Sequence, residues 1–311
     1  MSQARPTYRG RFAPTPSGPL HFGSVVAATG SYADALAHGG EWHLRIDDLD
    51  PPRVVAGATS DILRCLEALG FEWTGPVAHQ RDRAAAYREA LETLRRTATV
   101  YACTCSRAEI AAAGLPGIEG PRYPGTCRAG SHHPGRAPAW RLEVPGAPVI
   151  FEDLRFGRVF STLADTVGDF VLQRADGVFS YHLACVIDDA EAGFDHVVRG
   201  ADLLASTPRQ RLLQDLLALP VPQYLHLPVV VDASGQKLSK QSRAPAVDPG
   251  QAGHVLFQAL EFLGQHPPED LATATPAEIW RWVAGQWHRD MPCADLPPGL
   301  YRRECGPCAR A

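Results

Sequence analysis

Apolar positions along the chain recur with two periods, and the switches between them outline an α/β protein. Residues 9–13 read as a short strand ending in a loop of turn formers, Pro14-Thr15-Pro16-Ser17-Gly18-Pro19. From Ser24 to Ala37 small and apolar side chains fall at helical spacing (Val25, Ala28, Tyr32, Leu36), and Gly39-Gly40 stop the run. Residues 41–46 then alternate, with Trp42, Leu44 and Ile46 on one face of a strand. Residues 56–69 and 83–96 are amphipathic helices, the first with Ile62, Leu63, Leu66 and Leu69 apolar and Gly70 at its end. This strand–helix–strand–helix order predicts a doubly wound α/β fold, a parallel sheet covered by helices.

The order breaks near Tyr101. Residues 103–148 are rich in Gly, Pro and Cys and read as an insertion held together by something other than an apolar core. Asp176-Gly177 between two strand-like stretches is a hairpin signal. Alternation of helix and strand resumes over 183–188, 196–199 and 207–219, with a last strand expected over 227–231 and helices over 255–263 and 278–287. The expected organisation is a first catalytic half (1–100), an insertion (101–165), a second catalytic half (166–245) and a short helical extension (246–311).

Composition narrows the class. With 45% hydrophobic and 21% charged residues the chain sits in the ordinary globular range, and no apolar run reaches the ~18 residues of a membrane helix. No apolar stretch follows Arg5 and Arg9, so a signal peptide is not expected and the protein reads as cytoplasmic. A net charge of −4 gives no global attraction to nucleic acid, so an RNA partner would need a local basic face. Of the 30 cationic residues only two are lysines, Lys237 and Lys240, and they stand three residues apart. A pair of compact, flexible ammonium groups in a chain that otherwise uses arginine suggests a task that a planar guanidinium does not do.

Two segments carry the signs of phosphate chemistry. Pro16-Ser17-Gly18-Pro19-Leu20-His21-Phe22-Gly23-Ser24 joins the first strand to the first helix, where backbone N–H groups and the helix dipole favour an anion. His21 can donate a hydrogen bond to a phosphate there, and Gly23 permits close approach. Lys237-Leu238-Ser239-Lys240-Gln241 follows a strand and a glycine turn, suited to a polyphosphate whose charge shifts during reaction. Either segment alone says little; in this order, about 215 residues apart, they resemble the HIGH and KMSKS signatures of class I aminoacyl-tRNA synthetases. The segments Arg11-Phe12-Ala13-Pro14-Thr15, Arg45-Ile46-Asp47-Asp48-Leu49-Asp50, Val198-Arg199-Gly200-Ala201-Asp202-Leu203 and Tyr224-Leu225-His226-Leu227-Pro228 resemble the glutamyl branch, over residues 8–265.

Chemistry agrees at several positions. A glutamate ligand needs a cation for its carboxylate, which Arg11 at a strand end offers, and an anion for its ammonium, which Asp47 or Asp48 offers at the next strand end. The resemblance implies a Rossmann-like catalytic domain in which Arg11, Phe12, Ala13, Pro14, Thr15, Asp47, Tyr181 and Arg199 contact glutamate. It also implies that His21, Gly23, Ser24 and Lys240 meet ATP with Mg²⁺, and that His21, Lys237 and Lys240 stabilise charge on the phosphates. The family has Glu where this chain has Asp47, one methylene shorter, which loosens the expected ammonium contact.

Cys103-Thr104-Cys105, with Cys127 22 residues further on, suggests a structural zinc site stapling the insertion. Spacing nominates His132 or His133 as the fourth ligand; the resemblance implies Tyr123 instead. Cys305-Gly306-Pro307-Cys308 has no counterpart in the family and suggests no function. Only 70 residues follow Gln241, too few for an anticodon-binding domain of normal size. The layout, the His21-Phe22-Gly23-Ser24 form of the first signature and the Lys-Leu-Ser-Lys-Gln form of the second resemble the truncated glutamyl paralogues. That resemblance implies glutamate activation without tRNA, transfer to queuosine in the anticodon loop of tRNA(Asp), and a monomer.

Overall fold

The computed structural model describes residues 8–231, 245–291, 296–297 and 299–302. The expected lysine loop and the Cys305/Cys308 pair lie outside these residues. The chain begins β1 (Arg9–Phe12), α1 (Phe22–Ala37), β2 (Glu41–Ile46), α2 (Ala58–Ala68), β3 (Ala78–His79), α3 (Ala84–Thr97), β4 (Val100–Cys103) and α4 (Arg107–Ala112). It continues β5 (Ala139–Leu142), β6 (Val149–Asp153), β7 (Gly157–Ser161), α5 (Leu163–Thr166), β8 (Phe170–Gln173) and α6 (Tyr181–Glu191). The remainder is β9 (His196–Gly200), α7 (Thr207–Leu216), β10 (Gln223–Leu227), α8 (Ala252–Phe262), α9 (Pro276–Gln286) and β11 (Tyr301–Arg302). Two compact units emerge, one of residues 1–83, 191–203 and 222–294, the other of 84–190, 204–221 and 295–311.

The first unit holds the parallel sheet. β1 pairs in parallel with β2, β2 with β3, and β9 with β10. Successive carbonyls of a strand point to opposite edges. The Tyr8 carbonyl accepts from Glu41 N on the β2 side at 3.0 Å, and the Arg9 carbonyl accepts from Asp195 N at 3.1 Å, which puts β9 on the other edge of β1. The resulting order, β3-β2-β1-β9-β10, is the doubly wound one, with its reversal at β1. Trp42, Leu44 and Ile46 are all buried, as the alternation of β2 required.

α1 packs on β1, β2 and β9 because its inner face is small. A Cβ on Gly30 would stand 2.6 Å from Leu227 Cδ1 of β10. The helical extension belongs to the same core: α8 and α9 pack against α1, and Tyr32, Trp42, Phe71 and Trp280 form one aromatic cluster. α9 starts at a capping box, Thr275 with Glu278, with Pro276 at its first position. Trp280 Nε1 donates to the Leu69 carbonyl at 2.9 Å.

The second unit is antiparallel. β4, β5 and β8 form one sheet, and the β6–β7 hairpin is extended by β11. α3 and α6 are joined by the Tyr87 hydroxyl donating to Asp188 at 2.7 Å. The Asp176-Gly177 turn is present, with Gly177 at φ 88° and its N–H bonded to the Arg174 carbonyl at 3.0 Å; its second arm is a single bridge, Gln173 to Phe179. No helix among the described residues is long and apolar enough to cross a membrane.

Two expectations need correction. α1 starts at Phe22, two residues before the expected Ser24, because the His21 side chain caps it. The strand expected over 227–231 instead covers Gln223–Leu227: Pro228 has no N–H to continue the ladder, and β10 ends opposite Gly200.

Candidate active site and metal centre

β1 ends at Phe12, and residues 13–21 lead from it to the N-terminus of α1. His21 is the N-cap, in extended conformation (φ −104°, ψ 167°). Its Nδ1 accepts from Ser24 N at 3.3 Å, which assigns the proton to Nε2, 3.1 Å from Ser24 Oγ. To donate to a phosphate, the ring would exchange the Ser24 Oγ contact for the new acceptor. The first turn of α1, which carries Gly23 and Ser24, contains no acidic side chain, so no carboxylate neutralises the dipole there.

The chain returns to this point from the far side of the lysine loop. Ala246 forms an antiparallel bridge with His21, and Val247 N donates to the Leu20 carbonyl at 3.0 Å. The downstream end of the loop is therefore tied to the first signature by backbone hydrogen bonds, although Lys237 and Lys240 lie outside the described residues.

The expected glutamate contacts from the first unit line the same sheet edge. Arg11 is buried in β1, and its carbonyl is fixed by Ser31 Oγ at 3.1 Å, which in turn accepts from Trp42 Nε1 at 2.9 Å. Phe12 stacks on Trp42, and Ala13, Pro14 and Thr15 continue into the turn. Asp47 follows β2; its N–H donates to the Pro14 carbonyl at 3.0 Å and its carboxylate accepts from Arg45 Nε at 2.7 Å. Asp48 is held differently, by His79 Nδ1 and Arg81 N, both at 2.9 Å, which ties the end of β2 to β3. Arg199, buried in β9, donates from Nε to His226 Nε2 at 3.1 Å and lies over the Tyr224 ring. Arginine only donates, so His226 is the tautomer protonated on Nδ1. Tyr181 opens α6 in the second unit and is partly exposed.

Sequence reasoning missed the residues that hold these side chains: Ser31, Arg45 and His226. Arg45 and His226 stand in the family-like segments, but only the fold reveals their tasks, for His226 through the β9–β10 register that pairs it with Arg199.

The second unit gathers the cysteines. Cys103 ends β4, Cys105 follows, and Cys127 comes from the loop after Tyr123; the three sulfurs lie within 4.8 Å of one another. Cys105 and Cys127 Sγ are 3.6 Å apart, and the Tyr123 Oη is 3.3 Å from Cys103 Sγ and 3.8 Å from Cys105 Sγ. Tetrahedral zinc with Zn–S of about 2.3 Å needs sulfurs roughly 3.8 Å apart, so this donor set fits the ion. His133 is engaged elsewhere, with Glu109 at 2.6 Å, and neither it nor His132 joins the cluster. Burial opposes ionisation of Cys127, but hydrogen bonds from Tyr123 and from the backbone at Thr104 and His132 outweigh it and draw its pKa down to about 6. Burial pushes Cys105 up to about 11. Tyr123 also borders a cavity of about 470 Å³ in this unit, lined among others by Arg107, Glu119, Arg141 and Arg209.

Residues 7–268 match the family described as tRNA synthetases class I (E and Q), catalytic domain. The chain belongs to this class I synthetase family. This synthetase is 54% identical over 285 residues to a protein of Dechloromonas aromatica named glutamyl-Q tRNA(Asp) synthetase, covering 91% of the chain and 95% of that relative. A protein of the same name from Aromatoleum aromaticum is 52% identical over 288 residues, covering 92% and 91%. Among solved structures, the glutamate–tRNA synthetase of Elizabethkingia anophelis shares its fold, with a TM-score of 0.73 at 23% identity, covering 91% of this chain and 67% of that one. Class I synthetases are ligases, and so is this one.

Proposed function

We propose that this synthetase activates glutamate with ATP in the absence of tRNA and transfers it to queuosine in the anticodon loop of tRNA(Asp). The observation that carries the activation step is the bridge between His21 and Ala246, which ties the end of the lysine loop to an N-terminus free of acidic residues. The transfer target rests on the name borne by relatives that this chain matches over nine-tenths of its length.

In the first step the α-carboxylate of glutamate attacks the α-phosphorus of ATP, and the bond to the β-phosphate breaks as pyrophosphate leaves with the electron pair. Arg11 and Arg199 hold the glutamate carboxylate and Asp47 faces its ammonium, with Phe12 to Thr15 completing the contacts from the first unit; Tyr181 is proposed as a further contact to glutamate. His21, Gly23, Ser24 and the N-terminus of α1 receive the phosphates, while Lys237 and Lys240 offset the charge on the departing pyrophosphate, together with Mg²⁺. In the second step a hydroxyl of the queuosine cyclopentene ring attacks the acyl carbon, AMP leaves, and the hydroxyl proton passes to solvent. Positioning and fixed charge supply the rate, with no covalent enzyme intermediate. Cys103, Cys105, Cys127 and Tyr123 would hold a structural zinc ion, whose contribution would be a cross-link.

The test is glutamate-dependent ATP–pyrophosphate exchange without tRNA, followed by transfer assays on queuosine-containing tRNA(Asp) and unmodified tRNA(Glu). Exchange that falls at least a hundredfold in Lys240→Ala, with label found only on the former tRNA, is expected. Labelling of the 3′ end of tRNA(Glu) would overturn the transfer target, and absent exchange the activation step.

A further inference from the structure

Among the described residues of the second unit, Arg141 is a buried cation that no carboxylate answers. It lies in β5, is nine-tenths buried, and its guanidinium carbon sits 4.0 Å from the centroid of the Tyr123 ring. One terminal nitrogen donates to the Asp169 carbonyl at 2.8 Å, and Nε has no partner among the described residues. The nearby Asp169 carboxylate is already taken, by Arg128 in a bidentate pair at 2.7 and 2.8 Å, by the Tyr101 hydroxyl and by Val144 N at 3.0 Å. A guanidinium buried with only a carbonyl and a ring face is costly unless an anion stands beside it.

A metal held by the cysteines beyond that ring supplies such an anion. Three thiolates and a phenol oxygen around a divalent cation carry net negative charge, centred on the far end of the ring that Arg141 covers. We propose that Arg141 is the counter-cation of this metal centre: it neutralises the loaded site and thereby sets how tightly the insertion holds zinc. The inference rests on the reading of the cluster as a zinc site. Its partners outside the ligand set are then part of the site's design, as outer groups that set metal affinity generally are.

The test compares full-length wild type, Arg141→Met and Arg141→Lys, each zinc-loaded and chelator-stripped, by competition with a chromophoric chelator and by thermal denaturation. Arg141→Met should bind zinc at least tenfold more weakly, and Arg141→Lys within threefold of wild type. The stripped Met variant should melt at or above stripped wild type, because an unanswered charge has gone; a purely structural arginine would instead lower the Tm in both states. Zinc affinity of the Met variant within threefold of wild type would overturn the proposal. So would equal losses in the Met and Lys variants, a stripped Met variant that melts below stripped wild type, or a Met variant that does not fold. Wild type that takes up no zinc would instead remove the zinc reading itself.

Discussion

Removing the carboxylate of Asp34 should loosen the helical extension from the parallel sheet. Asp34 is fully buried in α1 and accepts from the Tyr8 hydroxyl at 2.8 Å, Trp287 Nε1 at 3.0 Å, and Arg289 Nε and a terminal nitrogen at 2.8 and 3.0 Å. Asp34→Ala strands the Tyr8 hydroxyl, 1% exposed, at a cost of about 1–3 kcal/mol. Breaking a fully buried ion pair costs about 3–5 kcal/mol, but the Arg289 side chain is 27% exposed, so water recovers part of that. A total of about 3–5 kcal/mol follows, or a fall in Tm of roughly 5–8 °C for a chain of this length. Burial alone would raise the Asp34 pKa, yet the bonds from Arg289, Trp287 and Tyr8 outweigh it and the net shift is downward. The folded pKa thus lies below the unfolded value of about 3.9. This stabilisation is complete above that value and is lost as pH falls through the folded pKa. Thermal denaturation of Asp34→Ala, Arg289→Met and the double variant reads the coupling directly. A loss under 1 kcal/mol, or single losses that simply add in the double variant, would refute the reasoning.

His226→Leu leaves the Arg199 Nε without its acceptor and should raise the KM for glutamate in pyrophosphate exchange about tenfold or more, with a smaller change in kcat; an unchanged KM would separate His226 from glutamate binding. Gly253→Ala puts a Cβ 2.1 Å from the Ala274 carbonyl, a backbone atom that cannot turn aside, and should cost about 1–3 kcal/mol in chemical denaturation despite the gain in helix propensity. The Cys127 thiol is lowered to about 6 when folded, against about 8.5 unfolded. Zinc-stripped protein should therefore gain stability as pH rises from 6 to 8.5 and lose that gain below 6, and Cys127→Ser should flatten the Tm–pH profile.

The parallel half of the fold was legible because its signals are local. Trp42, Leu44 and Ile46 alternate, α1 is marked by small residues at helical spacing, and the turns after β1 and β2 are rich in Gly and Pro. β10 was placed about four residues too late because an apolar stretch spans Pro228, and hydrophobicity alone does not register a missing N–H. At the candidate site the charged residues could be nominated from type and position, whereas their supports could not. Ser31 reaches Arg11 from α1, and His226 reaches Arg199 from the neighbouring strand. Such pairings depend on register between elements far apart in sequence, which periodicity does not encode. Cysteine spacing pointed to His132 or His133 and the family resemblance to Tyr123; in the folded loop the tyrosine joins the sulfurs and His133 is drawn to Glu109.

The bridge between His21 and Ala246 closes a span of more than two hundred residues, among the most distant contacts a chain of this length can make. Contacts of such separation repay their ordering entropy late. On the ribosome, a nascent chain that has not yet exposed Val247 carries the first signature without its partner strand. Closure of this end of the sheet thus waits until residue 247 has emerged, and a stalled or prematurely terminated product that stops short of that point lacks the bridge.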